Sequence, residues 1–449
     1  MDNKKKKLGV AQIISFGYLV TIAFGTILLL LPFSTKDDTP TSFINALFIS
    51  TSATCVTGLT PYNTGLHFSL FGQIVILLLI QIGGLGFMTV ITLLFMLFRK
   101  NVGLYQQTIL MQSAGTYSIG GVMPLIKKII IGSFGFEFIG AIILFLFFRK
   151  DYSIGKAIYY AIFHSISAFC NAGFDCLGSL TGSLTIYSSN AGIIITISIL
   201  IVLGGLGFIC WSDIIDSKFR FKKLQLHTKV VLFATLILIF VPMILFLIFE
   251  FTRLGNNGFY TDLSFKDKLI NSLFLSISPR TAGFNSIDLD KLTPAGKLLT
   301  IVLMFIGGNS GSTAGGLKVT TMIVILANLF TQARGKKKVN MFKQEVGDGI
   351  IKQASALANA YLILAAIATI LISSVESFTL EEILFEVISA TSTVGLSLGI
   401  TASLSVFSKV IIIILMFAGR IGAFALFDLL IKDKGSDIVS MPEGRILVG

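Results

Sequence analysis

Four short stretches, each with one glycine among small or hydroxyl-bearing residues, recur along this chain at nearly constant intervals. They are "TSATCVTGLT" (51–60), "AFCNAGFD" (168–175), "SPRTAGFN" (278–285) and "ATSTVGLS" (390–397). Their glycines, Gly58, Gly173, Gly283 and Gly395, lie 115, 110 and 112 residues apart. One quarter of the 449 residues is about 112, so the spacing indicates a fourfold internal duplication.

Each quarter has the same order of apolar segments. A long run comes first, a run of about 12–15 residues leads into the glycine, and a second long run follows. The long runs reach the ~20 residues needed to cross hydrocarbon, whereas the middle run is too short and predicts a re-entrant helix. The first long runs cover 11–32, 127–148, 229–250 and 354–374, and the second cover 70–98, 190–211, 297–330 and 405–430.

This order predicts an all-α polytopic membrane protein with eight transmembrane helices and four pore helices around one central pore. Each quarter crosses the membrane twice, so the four repeats are parallel and related by pseudo-fourfold symmetry. The predicted repeats are 1–100, 101–217, 218–338 and 339–431, followed by a C-terminal tail, 432–449.

Composition and charge agree with a membrane protein. Only 13% of residues are charged and the mean hydropathy is +0.88, whereas soluble domains carry roughly 25% charged residues. The net charge of +12 is explained by the positive-inside rule rather than by nucleic-acid binding. Basic segments at 218–223 and 334–338 predict a cytoplasmic side that includes both termini, although the basic loop 148–156 on the outer side is an exception.

Residues for other chemistry are sparse. The four cysteines form no CxxC pair, and we expect free packing residues, with a Cys170–Cys176 disulfide as the alternative. The three histidines are far apart in sequence, which predicts no metal site. No nucleophile or metal constellation converges, which disfavours an intramembrane enzyme.

The four glycine stretches predict a selectivity filter. Four parallel loops around one axis place four backbones in a ring, and ringed carbonyl groups can replace the hydration shell of a cation. Turning successive carbonyl groups inward requires unusual backbone angles, which glycine supplies without a Cβ penalty. The predicted filter and potassium-binding residues are Val56, Thr57, Gly58, Asn171, Ala172, Gly173, Thr281, Ala282, Gly283, Thr393, Val394 and Gly395.

Each second run contains a glycine cluster. In "IGGLGF" (82–87) and "LGGLGF" (203–208) we favour close helix packing. The third, "GGNSGSTAGGLKVTT" (307–321), is too polar to continue a span and predicts a broken helix that lines a cavity. A phosphate-binding loop is disfavoured because Leu317 separates Gly316 from Lys318. The predicted gate is Gly307, Gly308, Asn309, Ser310, Gly311, Ser312, Thr313, Ala314, Gly315, Gly316 and Arg420.

Arg420 occupies the place of a glycine in the fourth cluster, "AGRIGA" (418–423). A charge at this depth costs about 2.5–3.5 kcal/mol, so we expect the arginine to face the pore and to bind the loop through Asn309, Ser310, Ser312 or Thr313. A purely structural role in tying helices together is the alternative.

Four other polar residues have predicted positions. Glu137 is the only acid deep in a first run. An inter-helix hydrogen bond is favoured over a role as a proton or cation ligand. Asp175 and Asn285 follow their glycines and are predicted to line the outer mouth, and Arg280 is predicted to brace the filter.

With these motifs the chain resembles the Trk/Ktr/HKT superfamily of potassium transporters, most closely the membrane subunit of a bacterial Ktr-type potassium uptake system. The resemblance covers essentially the whole chain. It implies one pore per subunit, a homodimer in the plasma membrane, and gating of the 307–316 loop by a cytoplasmic ring of nucleotide-binding regulatory subunits, where ATP or ADP would bind. In the family, glycine at all four filter positions accompanies potassium selectivity, and the tail "MPEGRILVG" would lie at the dimer contact.

The sequence therefore predicts channel-like potassium uptake, with potassium as substrate and no cofactor in this chain. Whether sodium is co-transported, as in a symporter, or only stimulates uptake stays open. The alternative function is a secondary transporter of cations or small solutes with a central site, because broken helices also mark such proteins. The extension 332–349 fits either a docking surface or a solvated face.

Overall fold

A computed structural model of the chain describes residues 9–36, 40–86, 89–90, 92–93, 122–178, 183–252 and 263–422. Within these ranges the regular secondary structure is helical apart from one two-stranded hairpin. The predicted tail 432–449, the basic N-terminal segment and the last part of the run 405–430 lie outside the described residues.

The helices are grouped around the four glycine stretches. Around the first lie α1 (Val10–Leu29), α2 (Phe43–Thr54), α3 (Thr64–His67) and α4 (Leu70–Leu85). Around the second lie α5 (Val122–Phe148), α6 (Ile154–Phe169), α7 (Ala191–Gly205) and α8 (Phe208–Asp216). Around the third lie α9 (Leu226–Phe251), α10 (Phe265–Ile277), α11 (Pro294–Phe305) and α12 (Val319–Ala333). The hairpin β1 (Asn340–Met341) and β2 (Gln344–Glu345) then leads to α13 (Asp348–Ser373), α14 (Leu380–Thr391) and α15 (Val406–Ile421).

Among the described residues, four helices are long and apolar enough to cross a membrane on their own, α1, α5, α9 and α13. They expose large apolar side chains such as Phe24 and Phe138, which are 60% and 68% accessible. An aqueous protein surface rarely carries so many contiguous apolar side chains, whereas lipid accommodates them. The chain is therefore a multi-pass helical membrane protein.

The four middle helices, α2, α6, α10 and α14, are the predicted short ones, with 12 to 16 residues each. Their C-terminal halves are buried even where they carry hydroxyl groups, as at Ser52 and Ser389. Polar caps fix some of the starts: the Ser264 hydroxyl accepts from the Asp267 amide, and Thr379 forms a capping box with Glu382. Each helix ends where its glycine stretch begins.

The structure of the second long apolar runs differs from the prediction. The sequence predicts continuous spans over 70–98, 190–211 and 405–430 and a break only within 297–330. In the structure α4 ends before Gly86, α7 and α8 meet at 88° around Gly207, and α15 ends before Gly422. These glycines have φ values of 84°, 95° and 93°, which a helix cannot continue through. The interval between α11 and α12 is non-helical, as predicted.

Two helical glycines let the long spans approach the short helices closely. A Cβ on Gly25 would lie 2.5 Å from the Ser50 hydroxyl, and one on Gly140 would lie 2.6 Å from the Ser165 hydroxyl. Both serines bond a carbonyl of the span they face, Ser50 to Ile22 at 2.7 Å and Ser165 to Glu137 at 2.6 Å. The same contact thus anchors the short helix in the first and second groups.

We expect Gly140→Ala to destabilise the protein by about 1–3 kcal/mol, because the added methyl group overlaps Ser165 and Leu200. Gly135→Ala on the same helix is the matched control, since its Cβ meets nothing within 4 Å and alanine favours the helix. Thermal unfolding of the detergent-solubilised variants measures the difference. Equal melting temperatures would contradict the tight contact at Gly140.

Candidate functional site

The four glycine stretches meet in a closed ring. A Cβ added to each of these glycines would touch the next stretch in the ring. The contacted atom is the carbonyl oxygen of the residue that precedes the glycine of that next stretch. The pairs are Gly58 with Ala172 at 2.6 Å, Gly173 with Ala282 at 2.8 Å, Gly283 with Val394 at 2.5 Å, and Gly395 with Thr57. The order therefore runs from the first stretch through the fourth and back to the first. No side chain fits between neighbouring backbones at these positions.

The backbone of each stretch enters the left-handed region twice. The glycines have φ values of 99°, 69°, 75° and 93° in chain order. Two residues earlier, Val56, Asn171, Thr281 and Thr393 have φ values of 57°, 58°, 69° and 51°. Such angles are uncommon for β-branched residues and cost about 1–3 kcal/mol each, so the surrounding packing holds the stretches in place.

Hydrogen bonds back to the short helices fix the direction of the peptide groups. The amide of the residue before each glycine donates to a serine carbonyl, from Thr57 to Ser52 and from Val394 to Ser389 at 2.8 Å. The second and third stretches repeat the bond, from Ala172 to Ser167 at 2.8 Å and from Ala282 to Ser278 at 2.9 Å. In a trans peptide the preceding carbonyl points the opposite way. The carbonyl groups of Val56, Asn171, Thr281 and Thr393 therefore point away from the short helices.

The serine side chains brace the same stretches, and the sequence analysis missed them. The hydroxyl groups of Ser52 and Ser389 accept from the amides of Gly58 and Gly395, both at 3.0 Å. In the other two stretches the hydroxyl groups donate to the carbonyl after the glycine, from Ser167 to Phe174 and from Ser278 to Phe284. The sequence contains a pattern that could have identified these serines, because each serine precedes its glycine by six residues, or by five in the third copy.

Electrostatics at the ring favours a cation. The C-terminal ends of α2, α6, α10 and α14 all lie next to it, capped by Cys55, Cys170, Ser278 and Ser392. Each helix carries the equivalent of about half a negative charge at its C-terminus. Four such ends make the electrostatic potential at the ring negative without any acidic side chain.

A cavity of about 400 Å³ opens on one side of the ring, and the four glycines form part of its wall. Asp175 and Asn285, which were predicted to line the outer mouth, border it together with Asp288 and Asp290. None of the described residues that line it is lysine or arginine. The lining of the cavity is therefore acidic, although Lys291 and Lys297, which do not line it, pair with Asp288 and Asp290.

The loop 307–316 lies against the ends of the second and fourth groups. The Asn309 side chain donates to the Gly205 carbonyl at 2.9 Å, and the Gly316 amide donates to the Gly419 carbonyl at 3.1 Å. A Cβ on Gly315 would overlap the side chain of Thr393, one of the ring residues. The loop thus packs directly against the fourth glycine stretch.

Lys318 follows the loop by two residues and precedes α12, and the sequence predicted no role for it beyond excluding a phosphate-binding motif. Its ammonium group donates to the Ala314 carbonyl at 2.7 Å and to the Gly315 carbonyl at 3.2 Å. These bonds satisfy carbonyl groups that a broken helix leaves without partners at membrane depth.

Arg420, in the fourth group of helices, makes contacts with the first and third groups. Its guanidinium group contacts the carbonyl oxygens of Thr313 and Gly83, and its Nε donates to the Tyr18 hydroxyl at 3.3 Å. Of the four loop residues expected as partners, only Thr313 is contacted in the part of the chain that the structure describes. Ser310 and Ser312 instead bond within or beside the loop, to Thr320 and to the Asn309 carbonyl.

Among the other buried polar residues that the structure describes, Glu137 has a hydrogen-bonded partner, whereas the Nε atom of Arg280 has none. Both carboxylate oxygens of Glu137 accept from the Gln81 amide, at 3.1 and 3.2 Å, which agrees with the inter-helix hydrogen bond favoured from the sequence. Arg280 is 7% exposed and borders a cavity of only about 10 Å³ together with Gly205 and Gly308. All four cysteines are free and buried. Within the described residues no group of three or more His, Cys, Asp or Glu side chains could hold a metal ion.

Comparison with known proteins identifies relatives over the whole length. The family model TrkH, described as a cation transport protein, matches residues 12–437. The chain is 40% identical to the potassium/sodium uptake protein NtpJ of Enterococcus hirae, over 99% of this chain and 98% of that protein. It is 38% identical to the Ktr system potassium uptake protein B of Bacillus subtilis, over 98% and 96%. The crystal structure of the potassium transporter TrkH from Vibrio parahaemolyticus shares the fold, with a TM-score of 0.69, 18% identity, and 96% and 87% of the two chains covered.

Proposed function

The chain belongs to the TrkH family of cation transport proteins, and we propose that it conducts potassium ions into the cell through the ring of the four glycine stretches. The observation that carries the proposal is the closed ring of left-handed backbone with carbonyl groups turned away from the short helices. Ringed carbonyl groups replace the water around a potassium ion. The relatives named as potassium uptake proteins support the choice of ion.

In this proposal the twelve filter residues named from the sequence bind potassium. The ion enters from the cavity of about 400 Å³ that Asp175, Asp288 and Asp290 border, which we call the acidic cavity. The four quarters, 1–100, 101–217, 218–338 and 339–431, act as pseudo-fourfold repeats of span, pore helix and span. The similar hydrogen bonding of all four stretches to their short helices supports this arrangement.

Replacement of Gly58, Gly173, Gly283 or Gly395 by serine should lower the preference for potassium over sodium or abolish uptake. The new side chain meets the neighbouring stretch, and its φ value is unfavourable for serine. Rubidium and sodium uptake in potassium-transport-deficient cells at matched expression measures the preference. Gly155→Ser, where a Cβ meets nothing within 4 Å, is the control. Wild-type preference in all four variants would exclude the ring as the filter.

We assign the gate to loop 307–316 and Arg420. The loop packs against Thr393 of the ring, and the guanidinium group contacts the loop through the Thr313 carbonyl. A fixed positive charge beside a cation pathway raises the energy of an ion there, and a glycine-rich loop can change shape at low cost. The loop and the arginine together would close the route on the side of the ring that faces away from the acidic cavity.

Arg420→Ala, or deletion of part of the loop, should raise potassium flux severalfold with ion preference nearly unchanged, because the barrier is separate from the ring. Flux into liposomes at matched protein incorporation measures the effect, with the exposed Arg334→Ala as control. The dependence of flux on added regulatory subunit should fall as well. Unchanged flux together with a lower melting temperature would favour the structural role of Arg420.

The remaining assignments concern the surroundings of the chain. We propose a homodimer in the plasma membrane, surrounded by lipid, that binds a cytoplasmic regulatory ring in which ATP or ADP binds. The name of the Bacillus subtilis relative, which assigns it to a Ktr system, supports such a partner. Light scattering of the purified protein tests the dimer. Sodium uptake measured in the potassium-transport-deficient cells decides whether sodium is co-transported. Flux of potassium alone down its gradient distinguishes a channel-like route from a secondary transporter.

The basic segment 334–338 and both termini are proposed to face the cytoplasm. Residues 334–338 follow α12 and are exposed. In a variant without the native cysteines, a cysteine at Lys336 should therefore be accessible only from the cytoplasm. It should not react with an impermeant thiol reagent added to intact cells. A cysteine at the exposed Asp290, beside the acidic cavity, should react in the same experiment. The reverse pattern would invert the orientation.

A further inference from the structure

A buried histidine touches the wall of the acidic cavity. His164 lies in α6, nine residues before Gly173. Its Nδ1 is 2.7 Å from the Tyr160 carbonyl oxygen, and its Nε2 is 3.0 Å from Oδ1 of Asp175. The side chains of His164 and Asp175 are 0% and 9% exposed. Asp175 follows Gly173 by two residues and borders the cavity.

The geometry requires a shared proton. A carbonyl oxygen can only accept, so Nδ1 of His164 carries a hydrogen. The contact between Nε2 and the Asp175 carboxyl group then needs a second proton, on one atom or the other. With that proton the pair has zero net charge. Without it either tautomer of the neutral ring places two acceptors in contact, and the pair has a charge of −1.

The pair also fixes the shape of the cavity wall. Oδ1 of Asp175 accepts from the Leu177 amide at 2.8 Å, so the carboxyl group ties the residues after Gly173 to α6. The fourth group has a related contact, since Glu386 lies nine residues before Gly395 and accepts from Thr401, which borders the same cavity. A side chain at this position of the short helix therefore braces the cavity wall in two of the four groups.

We propose that His164 is a positioning residue for cation access, which sets the charge and the orientation of Asp175 through the shared proton. The inference rests on the proposed function. Release of the proton at higher external pH adds one negative charge at the cavity, which raises the local concentration of cations. The potassium concentration for half-maximal uptake should then fall, while the maximal rate stays nearly constant because the ring is unchanged.

Other titratable groups face the pair from neighbouring elements. They are Tyr160 on the same helix, Tyr152 after α5, Cys176 in the following loop and Lys36 from the first group. A dependence of half-maximal uptake on pH that is lost in a variant without the His164 imidazole therefore points to the pair rather than to these groups.

Three variants separate charge from structure. His164→Gln removes the ring that shares the proton with Asp175. Half-maximal uptake should then occur at a lower potassium concentration than in the wild type at low pH, and this concentration should no longer depend on pH. Asp175→Asn should raise this concentration roughly threefold at every pH and keep the pH dependence. The double variant is uncharged and should match the wild type at low pH.

Potassium uptake in liposomes, with pH varied on the cavity side, measures these concentrations. His67→Gln is the matched control, because that histidine faces the Thr41 hydroxyl, which can donate or accept. A wild-type concentration that does not change with pH, or His164→Gln and Asp175→Asn changing it in the same direction, would overturn the inference. Absence of potassium uptake by the wild type would instead overturn the proposed function.

Discussion

Four stretches of left-handed backbone held between four helix ends are the constraint on which the rest of this structure depends. At each stretch the glycine lies against the carbonyl oxygen that precedes the next glycine, so a side chain at any one position would push two stretches apart. The left-handed angles at Val56, Asn171, Thr281 and Thr393 persist because the amide that follows each of these residues is hydrogen-bonded back to a serine carbonyl at the end of the short helix.

The same constraint explains the polar residues inside an otherwise apolar chain. Backbone groups that leave a helix at membrane depth need partners within the protein. Serine hydroxyl groups supply some of them at the ring, and Lys318 and Arg420 supply others at the loop 307–316. The arginine binds carbonyl groups from two separate chain segments, which compensates the cost of its burial and joins the loop to the first and fourth groups.

Much of this architecture follows from the sequence because period and segment length are physical quantities. The glycine spacing and the short middle runs predicted the positions of α2, α6, α10 and α14, and the long runs predicted α1, α5, α9 and α13. The breaks at Gly86, Gly207 and Gly422 were missed because a glycine in an apolar run serves close packing and helix termination equally well. The contacts of Arg420 with Tyr18 and Gly83 join residues more than 300 positions apart, and no local pattern encodes such a distance.

The central claim is that a bare cation is held by the carbonyl groups of the four glycine stretches. Crystals grown in rubidium, whose anomalous scattering locates the ion, test it most directly. Rubidium peaks are expected on the axis between the stretches, within coordination distance of the carbonyl oxygens of residues 56–57, 171–172, 281–282 and 393–394. A dominant peak elsewhere, for example beside Glu137 or within the loop 307–316, with none between the glycine stretches, would contradict it.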